Sequence, residues 1–550
     1  MKFKKTTIVL IIILALYTVL SFYKLGNNEN PQTFVNLKDG EQLIYKIESN
    51  QIPKEIMTYV GYNEAYVSIF LATDYTDYST YEFDVACEAN YANVLKWNKF
   101  YINQNSKQYS YIILQSYWDT TILGELKVYD VDGNEIPLTP MRENEKLLLD
   151  EQSMVPEEYS YMNSSYFDEV YFPRTVYEQL NNLPIYEYTH PPLGKLIMSI
   201  PVYFLGMTPF AYRLMGNIAG ILMILVIYCI AKELFKKEQY GLFAAAIMAL
   251  DGMHFVQTRI GTVDSFLVLF CLTSFLFFLK YLKIQRQESI KKKMLPLLLS
   301  GIFWGMAISV KWTAAFVGLG MGIIYFVDMI FNKKFDLKLI AWSILSFVIV
   351  PVAIYILAYI PIINNPNEGI TDIKSFIEYQ KKMYNYHSKL EATHPYTSKW
   401  YTWPIMQRPL WFYVAFLNDG SYATISCMGN PAIWWLTIPT AIFTLIYSIV
   451  KKNKEGLILI VMIAATWLTY AVIGRVMFIY HYFITLPFMM LTIVFAIEKL
   501  VKWKEKFKYI MPILTVIFLV FFIYFYPVYS GAPGDMEKIQ STEWFNTWEY

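Results

Sequence analysis

Residues 1–24 read MKFKKTTIVLIIILALYTVLSFYK: lysines at positions 2, 4 and 5, then an apolar run just long enough to cross a bilayer. The run exceeds the apolar region of a signal peptide and no small-x-small cleavage site follows it, so it reads as an uncleaved anchor. Basic residues ahead of a first span keep that end in the cytoplasm. Further apolar segments begin near residues 211, 239, 262, 295, 314, 339, 432, 457, 478 and 509. The pattern predicts a polytopic α-helical membrane protein of about eleven transmembrane helices.

Composition agrees. Of 550 residues, 55% are hydrophobic and only 17% charged, too little charge for a soluble chain of this size. A formal net charge of +1 leaves no broad field to attract nucleic acid. When the spans alternate from a cytoplasmic N-terminus, the inward connections are AKELFKKE, KYLKIQRQESIKKK, NKKFDLK, KKNKEG and EKLVKWKEKFK, each rich in lysine. The long stretch 26–210, the VKWT turn at 310–313, residues 363–430, the IGR turn near 474 and the C-terminal tail then face outward, in a plasma-membrane protein whose site and C-terminus are extracellular.

Residues 26–155 differ from the rest. Period-two alternation in YVSIFLATDY and YSYIILQSYW, and a hairpin signal in LKVYDVDGNEIPL, predict an inserted extracellular β-sandwich. Residues 156–210 and 363–430 mix aromatics, prolines and isolated charges, which reads as loops and short interfacial helices. The divisions are therefore an anchor (1–25), a sandwich (26–155), a first outer loop (156–210), helices two to seven (211–362), a second outer loop (363–430), helices eight to eleven (431–526) and a tail (527–550). Of the four cysteines, Cys229 and Cys271 lie in apolar runs, Cys87 and Cys427 fall on the same predicted side, and no spacing suggests a metal.

Ionisable residues collect at the outward face. SSYFDEVYFPRT (164–175) holds the adjacent acids Asp168 and Glu169 in an aromatic setting. THPPLGKLI places His190 and Lys195 around two prolines, which fits a rigid turn with a snorkelling lysine as well as an anion ligand. LDGMHFVQTRIGTVDSF carries Asp251, His254, Arg259 and Asp264; an ion pair between Arg259 and Asp264 that pins the turn competes there with a functional site. EATHPYTSKWYTWPIMQRP adds His394, Lys399, Trp400, Trp403 and Arg408, and IGRVMFIYHYFITLP adds Arg475 and His481. Carboxylates and cations converging from separate segments suit transfer of a group from a phosphate-linked lipid. Cations hold the leaving phosphate, and a carboxylate removes the proton from an attacking hydroxyl.

FDEVYF, THPPLGKLI, QTRIGTVDSFLVL, SVKWTA, HPYTSKWYTWP, GNPAIWW and RVMFIYHYFITLP, in this order from about residue 160 onward, resemble the protein O-mannosyltransferase family, membrane enzymes of the GT-C glycosyltransferase class. The resemblance implies inverting transfer of mannose, or a related hexose, from a polyprenyl (dolichyl-type) phosphate to Ser or Thr of exported proteins. By motif it places the catalytic acids at Asp168, as general base, and Glu169. The arginine of its QTR segment falls on Arg259, assigned here to the donor phosphate, and Lys195, His190, Asp264, Arg475 and His481 lie in matching motifs, their donor roles assigned from their charge. His394, Trp400 and Trp403 are candidates for acceptor or sugar contact. It implies no required cofactor, leaving divalent-metal dependence open, and it implies lipid-linked sugar, exported protein and the secretion machinery as partners. The 363–430 loop is too short for the β-trefoil of the eukaryotic enzymes, which points to a bacterial type, and the sandwich departs from the family pattern. The alternatives are an aminoarabinose-transferase-like enzyme acting on lipid or envelope glycan, and a transporter. IWWLTI lacks the Trp-Trp-Asp signature of oligosaccharyltransferases.

Overall fold

The computed structural model describes residues 5–49, 51–73, 75, 82–87 (backbone only), 94–102, 108–119, 121–284, 288–331 and 336–550. Two compact units emerge. One comprises Met1–Tyr23, Glu187–Ile197 and Arg213–Tyr550, the other Lys24–Tyr186 and Met198–Tyr212.

Among the described residues the second unit contains nine strands: β1 (Val35–Leu37), β2 (Gln42–Ile47), β3 (Pro53–Val60), β4 (Val67–Ala72), β5 (Glu82–Cys87), β6 (Lys96–Tyr101), β7 (Tyr111–Ser116), β8 (Thr121–Asp130) and β9 (Leu138–Pro140). They form a four-stranded sheet, β1-β8-β3-β6, and a five-stranded one, β5-β4-β7-β2-β9. Val35, Ile56, Leu126 and Val128 of the first share one buried cluster with Leu43, Tyr45, Ile69 and Leu114 of the second, so the two sheets form a sandwich over a common core. The Asp-Gly hairpin is only half realised. Gly133 adopts φ +79°, Asp130 Oδ1 accepts from the backbone N–H groups of Asp132 and Asn134, and Tyr129 bridges Glu135. Beyond the turn the chain crosses to the other sheet, where β9 pairs with β2.

The helices are α1 (Lys5–Phe22), α2 (Phe172–Leu180), α3 (Leu193–Leu205), α4 (Pro209–Phe235), α5 (Glu238–Ala249), α6 (Gly252–Gln257), α7 (Asp264–Lys283), α8 (Ile290–Ile308), α9 (Ala314–Phe331), α10 (Leu337–Ile344), α11 (Val350–Ala358), α12 (Ile360–Ile363), α13 (Ile373–Lys389), α14 (Pro431–Lys451), α15 (Lys454–Trp467), α16 (Leu486–Trp503), α17 (Ile510–Ser530) and α18 (Met536–Gln540). Among the described residues, eight helical stretches are long and apolar enough to cross a membrane: α1, α4, α7, α9, α10 to α11, α14, α15 with the turn after it, and α17 with the turn before it. The three remaining expected segments are also helical. The one near 239 breaks into α5 and α6 at Asp251, while α8 carries three lysines in its first turn and α16 ends on Glu498, Lys499 and Lys502. α7 and α16 are buried along most of their length, whereas α1, α10 and α17 leave apolar side chains exposed, the arrangement expected of inner and lipid-facing helices.

Residues 363–430 hold more regular structure than their composition predicts. α13 is capped by Asp372, whose carboxylate accepts from Ser375 N–H at 2.7 Å. β10 (Leu410–Phe416) and β11 (Tyr422–Cys427) form an antiparallel hairpin. The tail packs too: Gly534 pairs with Tyr422 and Trp548 donates to the Met406 carbonyl. Cys427, Cys229 and Cys271 are free thiols, and the Cys87 side chain lies outside the described residues.

Candidate active site

In the second unit, Asp168 and Glu169 lie in a 3-10 turn, Phe167–Val170, at the entry to α2. Phe167 has φ +50°, a left-handed conformation that is costly for a bulky residue. Glu169 is fully buried, and its Oε2 accepts the Tyr166 N–H at 3.1 Å, so this acid caps the turn; Asp168 is half-buried. The sandwich grips the segment. Ser165 N–H donates to the Leu95 carbonyl at 2.9 Å, Ser165 Oγ donates to the Val94 carbonyl, and Ser164 Oγ accepts from Trp97 N–H at 3.2 Å. On α2, Arg174 joins Glu178 (2.8 Å) to Asn63 (2.6 Å) and lies over the Tyr186 ring. The fold also brings the oxygens of Glu125, Asp150 and Glu151 within 4.8 Å of one another, a grouping invisible in their spacing. Their carboxylates accept hydrogen bonds from Gln152, Thr33 and neighbouring backbone.

In the first unit, the expected cations gather around a residue that spacing did not mark. Glu187, 6% exposed, takes the Lys195 ammonium on Oε2 at 2.5 Å and lies 2.9 Å from His190 Nδ1 through Oε1. Lys195 also donates to the carbonyls of Glu187 (2.6 Å) and His190 (3.0 Å). An ammonium has three hydrogens, and all three are spent on this loop. Burial favours a neutral Glu187, but Lys195 and His190 beside it hold its carboxyl well below the usual range. Burial likewise lowers His190, against the raising effect of Glu187.

Asp264 does not pair with Arg259. It accepts from Lys311 at 2.9 Å, and Lys311 lies over the Tyr480 ring. Arg259 instead donates through Nε and a terminal nitrogen to the carbonyls of Ser21 (3.1 Å) and Tyr23 (2.8 Å), at the end of α1, where a cation complements the helix terminus. It thus falls in a second cluster, where Asn217 donates to the same Ser21 carbonyl and Tyr17 joins His254 to Thr258. Asp251 caps α6 and accepts from Trp434 and Asn430, which accounts for the break between α5 and α6.

The cation pairing is uneven. Lys195 has Glu187 and Lys311 has Asp264, whereas Arg475 meets only His387, through one guanidinium nitrogen, among the described residues. His481 stacks on Tyr480 and on Trp403, at 15° to the latter. Its Nδ1 lies 3.2 Å from the Phe478 N–H, and its buried Nε2 has no partner among the described residues. Lys311, Arg475 and His190 are the charges that bear on it. Trp403 is 1% exposed, so the sugar contact expected of it gives way to a packing role beneath His481. His394 is exposed and its Nδ1 accepts from Tyr396 N–H; Trp400 packs edge-on against Trp467. Glu187, Lys311 and His387 escaped the sequence reading, although EYTHPP and SVKWTA contain the first two.

Together the helices and buried charges define a polytopic membrane protein whose fold can be compared directly. Residues 154–364 match the family model described as dolichyl-phosphate-mannose-protein mannosyltransferase, and residues 372–548 match the C-terminal four TMM region of protein-O-mannosyltransferase. The chain belongs to the protein O-mannosyltransferase family. It is 23% identical over 454 residues to the polyprenol-phosphate-mannose–protein mannosyltransferase of Mycolicibacterium smegmatis, covering 70% of this chain and 87% of that one. The Corynebacterium glutamicum protein of the same name is 25% identical over 438 residues, covering 65% and 81%. The Saccharomyces cerevisiae protein O-mannosyltransferase Pmt1-Pmt2 complex bound to the sugar donor superposes with a TM-score of 0.63 at 15% identity, over 70% of this chain and 89% of that one. The membrane part therefore has the GT-C fold.

Proposed function

We propose that this chain transfers mannose, or a closely related hexose, from a polyprenyl phosphate to Ser or Thr hydroxyls of exported proteins. One observation carries the assignment of the donor end: Lys195 and Lys311 are buried and each is matched by a carboxylate, whereas half-buried Arg475 meets no carboxylate among the described residues. A guanidinium that no carboxylate occupies can take an anion, and its planar fork suits a phosphate. His481 Nε2 supplies a second unsatisfied polar atom beside it. Arg259, whose plane is set by the Ser21 and Tyr23 carbonyls, is the other guanidinium assigned to the phosphate. The names of the bacterial relatives support the donor and the protein acceptor.

In the reaction, Asp168 takes the hydroxyl proton as the acceptor oxygen bonds to the anomeric carbon. The bond from that carbon to the phosphate oxygen breaks, and its electron pair leaves on the polyprenyl phosphate. Asp168 is assigned as the base because it is half-buried, whereas Glu169 is fully buried and caps its own turn. The cations stabilise charge gathering on the leaving group, so the reading calls for no resident metal and transfer should persist in a chelator. The lysine-rich connections support a cytoplasmic N-terminus and an outward-facing site, to which the secretion machinery would deliver the acceptor.

The test uses purified enzyme in lipid with labelled polyprenyl-phosphate mannose and a Ser/Thr-rich peptide. Label reaches the peptide with the native chain and is lost in Asp168→Asn and Arg475→Ala. Undiminished transfer in both variants overturns the assignment.

A further inference from the structure

α13 delivers one residue whose role follows from its two ring nitrogens. Tyr379, Met383 and His387 recur every four residues, on one face of the helix. Tyr379 and Met383 are buried with Tyr359 and Ile362 and pack against Tyr188 and Trp312, which carries His387 to the 187–190 loop. There His387 Nε2 lies 2.6 Å from the Thr189 carbonyl. A carbonyl only accepts, so Nε2 bears the hydrogen. Nδ1 faces Arg475, which only donates, so Nδ1 carries the lone pair. Both contacts are met together only by the neutral ring protonated at Nε2.

The surroundings hold it there. The groups facing His387 are His190, with ring centroids 5.3 Å apart, Arg475, Lys311, and the rings of Trp312 and Tyr386. Burial first, then His190, Arg475 and Lys311, bring its pKa down to about 4, against a raising bond to Thr189. The loop that supplies the Thr189 carbonyl is itself pinned by the three hydrogen bonds from Lys195.

We infer that His387 is a positioning residue, which accepts one hydrogen of Arg475 and so fixes the guanidinium fork for the donor phosphate. It does not touch the reacting atoms. The inference rests on the phosphate role of Arg475 proposed above, and its test separates the two.

Asn places an acceptor near the position of Nδ1, Gln reaches the position of Nε2, and Leu supplies neither. Donor KM and kcat are measured for His387→Leu, His387→Gln, His387→Asn, Arg475→Ala and the Leu/Ala double variant. A hydrogen bond to a charged group corresponds to a change of about tenfold or more. His387→Leu and His387→Gln should raise donor KM by about that factor with kcat less affected, while His387→Asn recovers most of the loss. In the Arg475→Ala background, His387→Leu should add nothing. Equal impairment of the Asn and Leu variants, or independent effects of His387→Leu and Arg475→Ala, overturns the positioning role. An unchanged donor KM in Arg475→Ala removes the phosphate role itself, and the positioning role with it.

Discussion

The Lys195 ammonium and the Glu187 carboxylate meet at 2.5 Å, with Lys195 fully buried. Lys195 is thereby a fastener for the 187–190 loop rather than a ligand for the donor, as its charge suggested. Removing one partner of a buried pair strands the other charge at a cost of about 3–5 kcal/mol. Lys195→Ala should therefore lower the thermal midpoint of the solubilised protein along with transfer, whereas Arg475→Ala should lower transfer alone. A Lys195→Ala protein of native stability with a raised donor KM would return Lys195 to the phosphate.

The same pair predicts acid sensitivity. Glu187 is held below its ordinary value in the folded chain, so the unfolded chain binds the extra proton first as pH falls. The stability contributed by Glu187 is complete above the ordinary glutamate range and is lost as pH falls below it. Midpoints measured from pH 7 down to pH 4 should drop more steeply for the native chain than for Glu187→Gln, which starts lower and changes less.

The two acids of the FDEV turn should behave differently. Asp168→Asn removes the base, for which a loss of about 10²–10⁴-fold in kcat is expected. Glu169→Gln weakens a cap, costing about 0.5–2 kcal/mol of stability, with a smaller loss of kcat. The reverse pattern would exchange their roles.

In the sandwich, burial raises Glu125 to about 8, with Asp150 and Glu151 adding to the effect. The folded chain there holds a proton that the unfolded chain releases, so stability declines as pH rises from about 4.5 to 8. Glu125→Gln should melt higher than the native chain at pH 8.5, with the difference shrinking by pH 5. A pH-independent difference would place the charge elsewhere.

Ser165 ties the acid-pair segment to the strand edge at Val94 and Leu95. Ser165→Ala removes one buried hydrogen bond, worth about 1 kcal/mol, and leaves the Val94 carbonyl short of a donor. Its kcat should fall while donor KM stays put, because the segment it loosens carries the base. A donor KM effect without a kcat effect would separate the sandwich from catalysis.

The spans and the sandwich were legible because each is a local pattern: apolar length and alternation. The β10–β11 hairpin was missed, although LWFYVAF and YATISC flank Asn418-Asp419-Gly420, with Gly420 at φ +81°, because the surrounding aromatics and prolines read as a loop. What could not be read was partnership. Asp264 is five residues from Arg259 yet pairs with Lys311, forty-seven residues away, because helix packing rather than proximity along the chain selects the counter-ion. His387 sat in an amphipathic stretch like many others, and only the fold shows which loop its stripe meets.

The four-residue rhythm of Tyr379, Met383 and His387 sets the helical phase at which the imidazole arrives. Inserting a single residue after Met383 would rotate everything beyond it by about 100° and swing the ring away from Thr189 and Arg475. Between Met383 and His387, changes of length should therefore be tolerated far less well than changes of side chain.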